Sequence, residues 1–176
     1  MVTLITGASS GIGEEFAHRY AAQKHDLVLV ARTESKLQAL AEKLRAEHGI
    51  TVTVIPCDLT APEAAERLWE ETNRAELEID VLVNNAGFGT SGDVADESPK
   101  RLEQEVRLNC LTLTGLTARY LPAMRERKNG TIINIASTAA FQPLPHMAVY
   151  GATKAFVLSF TEALWSETRK DGIRVL

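Results

Sequence analysis

Tyr150 and Lys154 stand four positions apart in a stretch of chain with a helical pattern. Residues at i and i+4 share a helix face, so a phenol and an ammonium group would lie side by side. Ser137 follows an apolar run typical of a strand, and Asn109 lies among leucines in a long helical stretch, where asparagine is a poor helix former. This set is suited to proton transfer. Taken alone, however, Y-x-x-x-K spacing is usually found on solvated helix surfaces.

A glycine-rich turn, Thr6–Gly13, joins the first predicted strand to the first predicted helix. Gly7 would turn the chain, Gly11 would let backbone approach a pyrophosphate, and Gly13 would let helix and strand pack closely. The free N–H groups at the helix start favour phosphate. The spacing differs from both G-x-G-x-x-G and the P-loop, and three glycines in a turn can be purely structural. Their place at a strand–helix junction favours a dinucleotide.

The end of the second predicted strand indicates which dinucleotide. An NAD site needs an acid there to hold the ribose 2′-hydroxyl, but this strand ends in Ala31 and Arg32. Arg32 could pair with a 2′-phosphate, which predicts NADP(H); the alternative is a solvated surface charge. Glu34 lies in the next helical turn, where an acid is expected for dipole reasons alone. Asp58 could accept from the adenine amino group or could simply stabilise a turn.

Elements that would position these residues alternate along the chain. The β-branched apolar runs predict strands at Val2–Thr6, Leu27–Val30, Thr51–Ile55, Val81–Val83 and Thr131–Ala136, with a further strand opening at Gly172–Leu176. Amphipathic stretches predict helices at Ile12–Lys24, Glu34–Glu47, Pro62–Ala75, Pro99–Arg127 and Val149–Lys170. Thr60–Glu63 has the form of a capping box, and Ser98 should cap the helix that begins at Pro99.

This alternation predicts an α/β fold, a doubly wound parallel sheet with helices on both faces. At 176 residues, one domain covering 1–176 is expected. The net charge of −4 comes without a basic patch, so no nucleic-acid partner is expected. No apolar run is long enough to cross a bilayer. Two cysteines without C-x-x-C spacing favour a reduced, cytoplasmic protein, and no metal site is expected.

Taken together, the motifs resemble those of the short-chain dehydrogenases/reductases, from Val2 to Leu176. The resemblance is carried by six features in order, which are T-G-x-x-x-G-I-G at Thr6–Gly13, Asp58, N-N-A-G at Asn84–Gly87, Asn109, Ser137 and Y-x-x-x-K at Tyr150–Lys154. It implies a Rossmann-type, three-layer fold with strand order 3-2-1-4-5-6. It also implies an oxidoreductase that transfers a hydride between NADP(H) and a carbonyl or secondary alcohol.

Residue roles follow from the same resemblance. It places catalysis at Asn109, Ser137, Tyr150 and Lys154. It places cofactor binding at Gly7, Ser9, Ser10, Gly11, Ile12, Gly13, Arg32, Asp58, Leu59, Asn85, Ala86, Gly87, Tyr150 and Lys154. Ser137 would hydrogen-bond the substrate oxygen, and Tyr150 would give or take the proton. Lys154 would hold the nicotinamide ribose and favour the deprotonated tyrosine, while Asn109 would organise a water that links Lys154 to solvent.

The resemblance further implies that such chains continue beyond this point, so we expect strand 6 to be truncated and the C-terminal substrate-binding segment to be lacking. Phe88, Phe141, Leu144 and Met147 suggest a hydrophobic carbonyl substrate, or else simply pack on the core. Surplus leucines and aromatics on the last two long helices, together with the resemblance, predict a homodimer or homotetramer; the alternative is a monomer in which the extra leucines face the core. Two alternatives stay open, a non-catalytic NADP-binding sensor or scaffold and an epimerase or dehydratase of the extended branch.

Overall fold

Six parallel strands form one sheet in the order β3-β2-β1-β4-β5-β6. The computed structural model describes all 176 residues. The strands are β1 (Val2–Thr6), β2 (Asp26–Ala31), β3 (Val52–Pro56), β4 (Val81–Asn84), β5 (Gly130–Asn134) and β6 (Ile173–Val175). The predicted sheet and its strand order are confirmed.

Six α-helices connect the strands and cover both faces of the sheet. They are α1 (Gly11–Ala22), α2 (Glu34–His48), α3 (Ala64–Arg74), α4 (Pro99–Val106), α5 (Leu113–Arg127) and α6 (Ala148–Thr168). One buried core joins the sheet to α1 and α2 through residues such as Ala17 and Leu37. The other core joins it to α3, α5 and α6 through Leu68, Leu116 and Leu164. Most strand residues are apolar and buried because helices cover both faces of the sheet.

One predicted helix start is wrong, and one predicted helix is interrupted. The capping box fails because Thr60 bonds Asp58 instead; α3 begins only at Ala64, after Glu63 in a left-handed conformation with φ 59°. The helix predicted at Pro99–Arg127 is not uniform, since residues Arg107–Thr112 form a π-helical turn between α4 and α5. Such wide turns redirect side chains and recur at functional sites.

Buried polar groups brace the sheet where the strands end. Asn84 Nδ2 donates to Thr117 Oγ1 at 3.1 Å and to Asn134 Oδ1 at 2.9 Å, and Asn134 Nδ2 in turn donates to Thr161 Oγ1 at 3.0 Å. These bonds tie β4 and β5 to α5 and α6. The strand order reverses between β1 and β4, and a crevice opens beyond the carboxyl ends of these strands. None of the helices is both long and apolar enough to span a membrane.

Candidate active site

An open cavity of about 950 Å³ lies at the carboxyl ends of the strands. It brings together most of the predicted site residues, namely Gly7, Ser9, Ser10, Ile12, Arg32, Asp58, Leu59, Asn85, Ala86, Gly87, Ser137, Tyr150 and Lys154. Three others, Gly11, Gly13 and Asn109, do not line it. The structure thus gathers residues from both halves of the chain around one space.

The glycine turn forms one end of the cavity. A Cβ atom at Gly13 would overlap the carbonyl oxygen of Gly7, so only glycine allows α1 to start this close to β1. The first N–H groups of a helix have no intrahelical partner and are free for an anion. Ile12, at the same helix start, is 59% exposed and lines the cavity. This end therefore combines free N–H donors with an apolar surface.

The hydroxyl of Thr6 ties this turn to the segment after β4. Its Oγ1 accepts from the backbone N–H groups of Asn85 and Ala86, each at 3.0 Å, and donates to the carbonyl of Val83 at 3.1 Å. Asn85 Nδ2 donates to the carbonyls of Thr6 at 2.8 Å and Gly7 at 3.3 Å. The two turns are held as one rigid unit. Thr6 is a buried positioning residue; it opens the glycine motif, but the sequence predicted no role for it.

Arg32 and Asp58 form a polar corner beyond β2 and β3. Arg32 is exposed and makes no hydrogen bond or ion pair, whereas Asp58 Oδ1 accepts from Thr60 N at 3.0 Å and Thr60 Oγ1 at 2.7 Å. The bonds from Thr60 lower the pKa of Asp58, and the positive charges of Arg32 and Arg67 contribute. Asp58 therefore does stabilise a turn through one oxygen. The guanidinium of Arg32 in this corner remains unpaired.

Tyr150, Lys154 and Ser137 meet at the other end of the cavity. Lys154 Nζ lies 5.8 Å from the centre of the Tyr150 ring and donates to the carbonyl of Ile135 at 2.6 Å. Lys154 is only 7% exposed, and burial lowers its pKa. Ser137 Oγ accepts from Ala139 N at 3.1 Å, which leaves its hydroxyl proton free to donate. The Tyr150 hydroxyl has no protein partner.

Asn109 lies in the π-helical turn, 2% exposed, directly behind this end of the cavity. Its Oδ1 accepts from Phe88 N at 3.2 Å, and its Nδ2 donates to Phe88 O at 2.8 Å and to Thr153 Oγ1 at 3.0 Å. The Asn109 side chain thus binds both the N–H and the carbonyl of Phe88, after β4, and links them to Thr153 on α6. It makes no hydrogen bond with Lys154.

Several lining residues were not predicted. Arg101, Gln104 and Leu108 face the cavity from α4 and its π-helical continuation, and the 3- and 7-residue spacing was an available signal for that face. Arg101 lies 4.7 Å from the centre of the Phe88 ring. Of the apolar residues suggested for a substrate pocket, Phe88 and Met147 line the cavity, but Phe141 and Leu144 do not.

The model of the short chain dehydrogenase family matches residues 1–176, the whole chain. The chain belongs to the short-chain dehydrogenase family. No group of three or more His, Cys, Asp or Glu side chains is placed to hold a metal ion.

The chain matches curated relatives and solved structures over nearly its whole length, but it covers only part of theirs. A very-long-chain 3-oxoacyl-CoA reductase from Pyrenophora tritici-repentis is 35% identical over 98% of this chain and 52% of that protein. The chain therefore spans about half the length of such curated relatives. A short-chain dehydrogenase from Sphingobium yanoikuyae in complex with NADPH matches with a TM-score of 0.94 and 42% identity over 99% of this chain and 68% of that one. A bulky-bulky ketone specific alcohol dehydrogenase from Comamonas testosteroni matches with a TM-score of 0.93 and 40% identity, over 99% and 69%.

Proposed function

We propose that this protein is an NADP(H)-dependent oxidoreductase that interconverts a ketone and a secondary alcohol. One observation carries the proposal: the glycine turn, the free Arg32 and the Tyr150–Lys154 pair all line a single cavity. The relative from Sphingobium yanoikuyae binds NADPH, and the one from Comamonas testosteroni acts on bulky ketones. Apolar Phe88, Leu108 and Met147 on the cavity wall support a hydrophobic carbonyl substrate.

The lining residues fit NADP(H) along the whole cavity. The start of α1 would bind the pyrophosphate, Arg32 the 2′-phosphate, and Asp58 and Leu59 the adenine. The adenosine would lie beside Asn85, Ala86 and Gly87, and Lys154 would bind the nicotinamide ribose. Bound NADPH supplies the hydride for the reduction.

Proton transfer is then the task of the chain. We infer that the Tyr150 hydroxyl gives its proton to the carbonyl oxygen during reduction and takes it back during oxidation. The free hydroxyl proton of Ser137 would hold the same oxygen. The buried ammonium of Lys154 would stabilise the tyrosinate that remains. Asn109 would keep Phe88 in place behind these groups, and its water link to Lys154 stays a prediction.

Tyr150→Phe tests this role, because it removes only the hydroxyl. NADPH oxidation should be followed with benzil, a bulky aromatic diketone, in the full-length protein, and NADPH binding by fluorescence. We expect turnover to fall by about 10²–10⁴-fold, the usual contribution of a general acid, with NADPH affinity unchanged. Tyr20→Phe, at a half-buried tyrosine away from the cavity, is the matched control and should change neither.

The outcomes separate the alternatives. A parent protein that binds NADPH but turns over no ketone would indicate the non-catalytic sensor or scaffold. A Tyr150→Phe variant with normal turnover would move the acid–base role elsewhere. We also propose a cytoplasmic location, supported by the unpaired thiols of Cys57 and Cys110, and a homodimer or homotetramer.

A further inference from the structure

The loop between β4 and α4, residues 85–98, is anchored at three alternate positions. Asn109 binds both backbone groups of Phe88. Glu105 Oε2 accepts from Thr90 N at 3.0 Å and Thr90 Oγ1 at 2.6 Å. Gly92 N donates to the carbonyl of His146 at 2.8 Å. Because every second residue from Phe88 to Gly92 is anchored, the two residues between the anchors, Gly89 and Ser91, have little freedom to move.

Gly89, between two of these anchors, packs against the reactive tyrosine. A Cβ atom at Gly89 would lie 2.7 Å from Cδ2 and 2.9 Å from Cγ of Tyr150, closer than such contacts can be. Gly89 does not have a positive φ, so the backbone itself would accept alanine. The backbone at Gly89 is therefore a surface against which the Tyr150 ring rests.

Glu105 is an unusual residue for the place it occupies. Its side chain is 0% exposed on α4, one turn before Asn109, and its Oε1 is buried without a partner. A carboxyl group with one unsatisfied oxygen is unfavourable in a protein interior, where an apolar side chain of similar size would pack without that cost. The other carboxylate oxygen, Oε2, nevertheless accepts two hydrogen bonds, from the N–H and the hydroxyl of Thr90.

These contacts join into one path. Glu105 holds Thr90, Thr90 fixes the adjoining Gly89, and Gly89 limits the movement of the Tyr150 ring. We infer that Glu105 is a positioning residue for Tyr150, holding the β4–α4 loop so that the phenol stays beside Lys154. This inference rests on the proposed function. It concerns the placement of the acid–base group and not the binding of the cofactor.

Four variants of the full-length protein test it, with NADPH, benzil as the ketone, and the melting temperature recorded. Glu105→Ala removes both bonds to Thr90, and kcat should fall by about 10- to 100-fold, the effect of a small misplacement of a reacting group. NADPH affinity should not change. Glu105→Gln should restore most of the loss, because its amide oxygen can accept both bonds and its NH₂ can take the place of the unpartnered Oε1.

The other two variants act on the tyrosine from the glycine side. Gly89→Ala leaves the Glu105 bonds in place but displaces the ring, and should lower kcat as Glu105→Ala does. Gly151→Ala is the matched control, next to Tyr150 in the chain, where a Cβ would approach no atom closer than 3.5 Å. It should keep the parent's kcat.

The failures can be told apart. A Tyr150→Phe variant with normal turnover, or a parent inactive on ketones, overturns the proposed function and this role with it. If Tyr150→Phe is inactive but Glu105→Ala keeps its kcat, only the positioning role is wrong. It is also wrong if Glu105→Gln is as damaged as Glu105→Ala, if Gly89→Ala matches Gly151→Ala, or if NADPH affinity falls in step with kcat.

Discussion

Removal of the free guanidinium at Arg32 should abolish the preference for NADPH over NADH. Arg32 lies on the cavity at the end of β2, has no hydrogen bond or ion pair, and follows Ala31, where an NAD site would need an acid. Arg32 and Asp58 both line the cavity; the Thr60 hydrogen bonds lower the pKa of Asp58, and the charge of Arg32 contributes in the same direction. A 2′-phosphate is the group of NADPH that such a cation would distinguish.

The size of the effect follows from the exposure of Arg32. Two unit charges about 4 Å apart attract by about 4 kcal/mol at an effective dielectric of about 20. Arg32 is exposed to solvent, which reduces this to the range of a charged hydrogen bond, about 1.4–2.8 kcal/mol. That corresponds to about 10- to 100-fold in affinity. The parent should show this preference, and Arg32→Ala should bind the two cofactors almost equally.

Fluorescence titration of both cofactors at low and high salt is the appropriate assay. The preference of the parent should shrink as salt is raised, because salt screens an exposed pair, whereas NADH affinity should change little. Lys43→Ala removes an exposed positive charge from α2, away from the cavity, and should keep the parent's preference. Arg32 does not bind the 2′-phosphate if Arg32→Ala still prefers NADPH, or if Lys43→Ala loses the preference equally.

Two further predictions concern stability and assembly. Burial lowers the pKa of Lys154, so its ammonium destabilises the fold at neutral pH, and this cost disappears as pH rises through the lowered pKa towards the ordinary 10.5. Near neutral pH, Lys154→Met should therefore melt at a higher temperature than Lys43→Met, and the difference should shrink at alkaline pH. If Lys154→Met instead melts at a lower temperature than Lys43→Met, the hydrogen bond to Ile135 outweighs the cost of desolvating the ammonium. Leu111 and Trp165, on the last long helical segments, are 58% and 50% exposed. The double variant Leu111→Glu, Trp165→Glu should convert an oligomer to monomers, as measured by sedimentation at micromolar concentration. Phe141→Glu, at 76% exposure elsewhere, should not; a monomeric parent would contradict the proposed assembly.

The sequence alone was sufficient for the architecture. Short runs rich in β-branched residues, such as Val2–Thr6 and Val81–Val83, are typical of strands that are covered on both faces, and their alternation with amphipathic helices predicts a parallel doubly wound sheet. The glycine turn and the Tyr150–Lys154 spacing are local patterns, so they could also be read directly. The capping box at Thr60–Glu63 was misread because the Asp58 carboxylate accepts from the Thr60 N–H, which the box would give to Glu63, and Glu63 is itself left-handed.

The tertiary structure decided what lies behind Tyr150 and Lys154. The π-helical turn at Arg107–Thr112 places Asn109 and Cys110 against Thr153 of α6, a contact between separate elements that no local pattern predicts. The pairing of Glu105 with Thr90 joins residues from separate elements, and an acid in a helix next to valine looks like a solvated position until its burial is known. Gly89 is likewise an ordinary loop glycine in the sequence. Only the folded chain brings Tyr150 against it, because the two meet through packing between α6 and the β4–α4 loop rather than through any local preference.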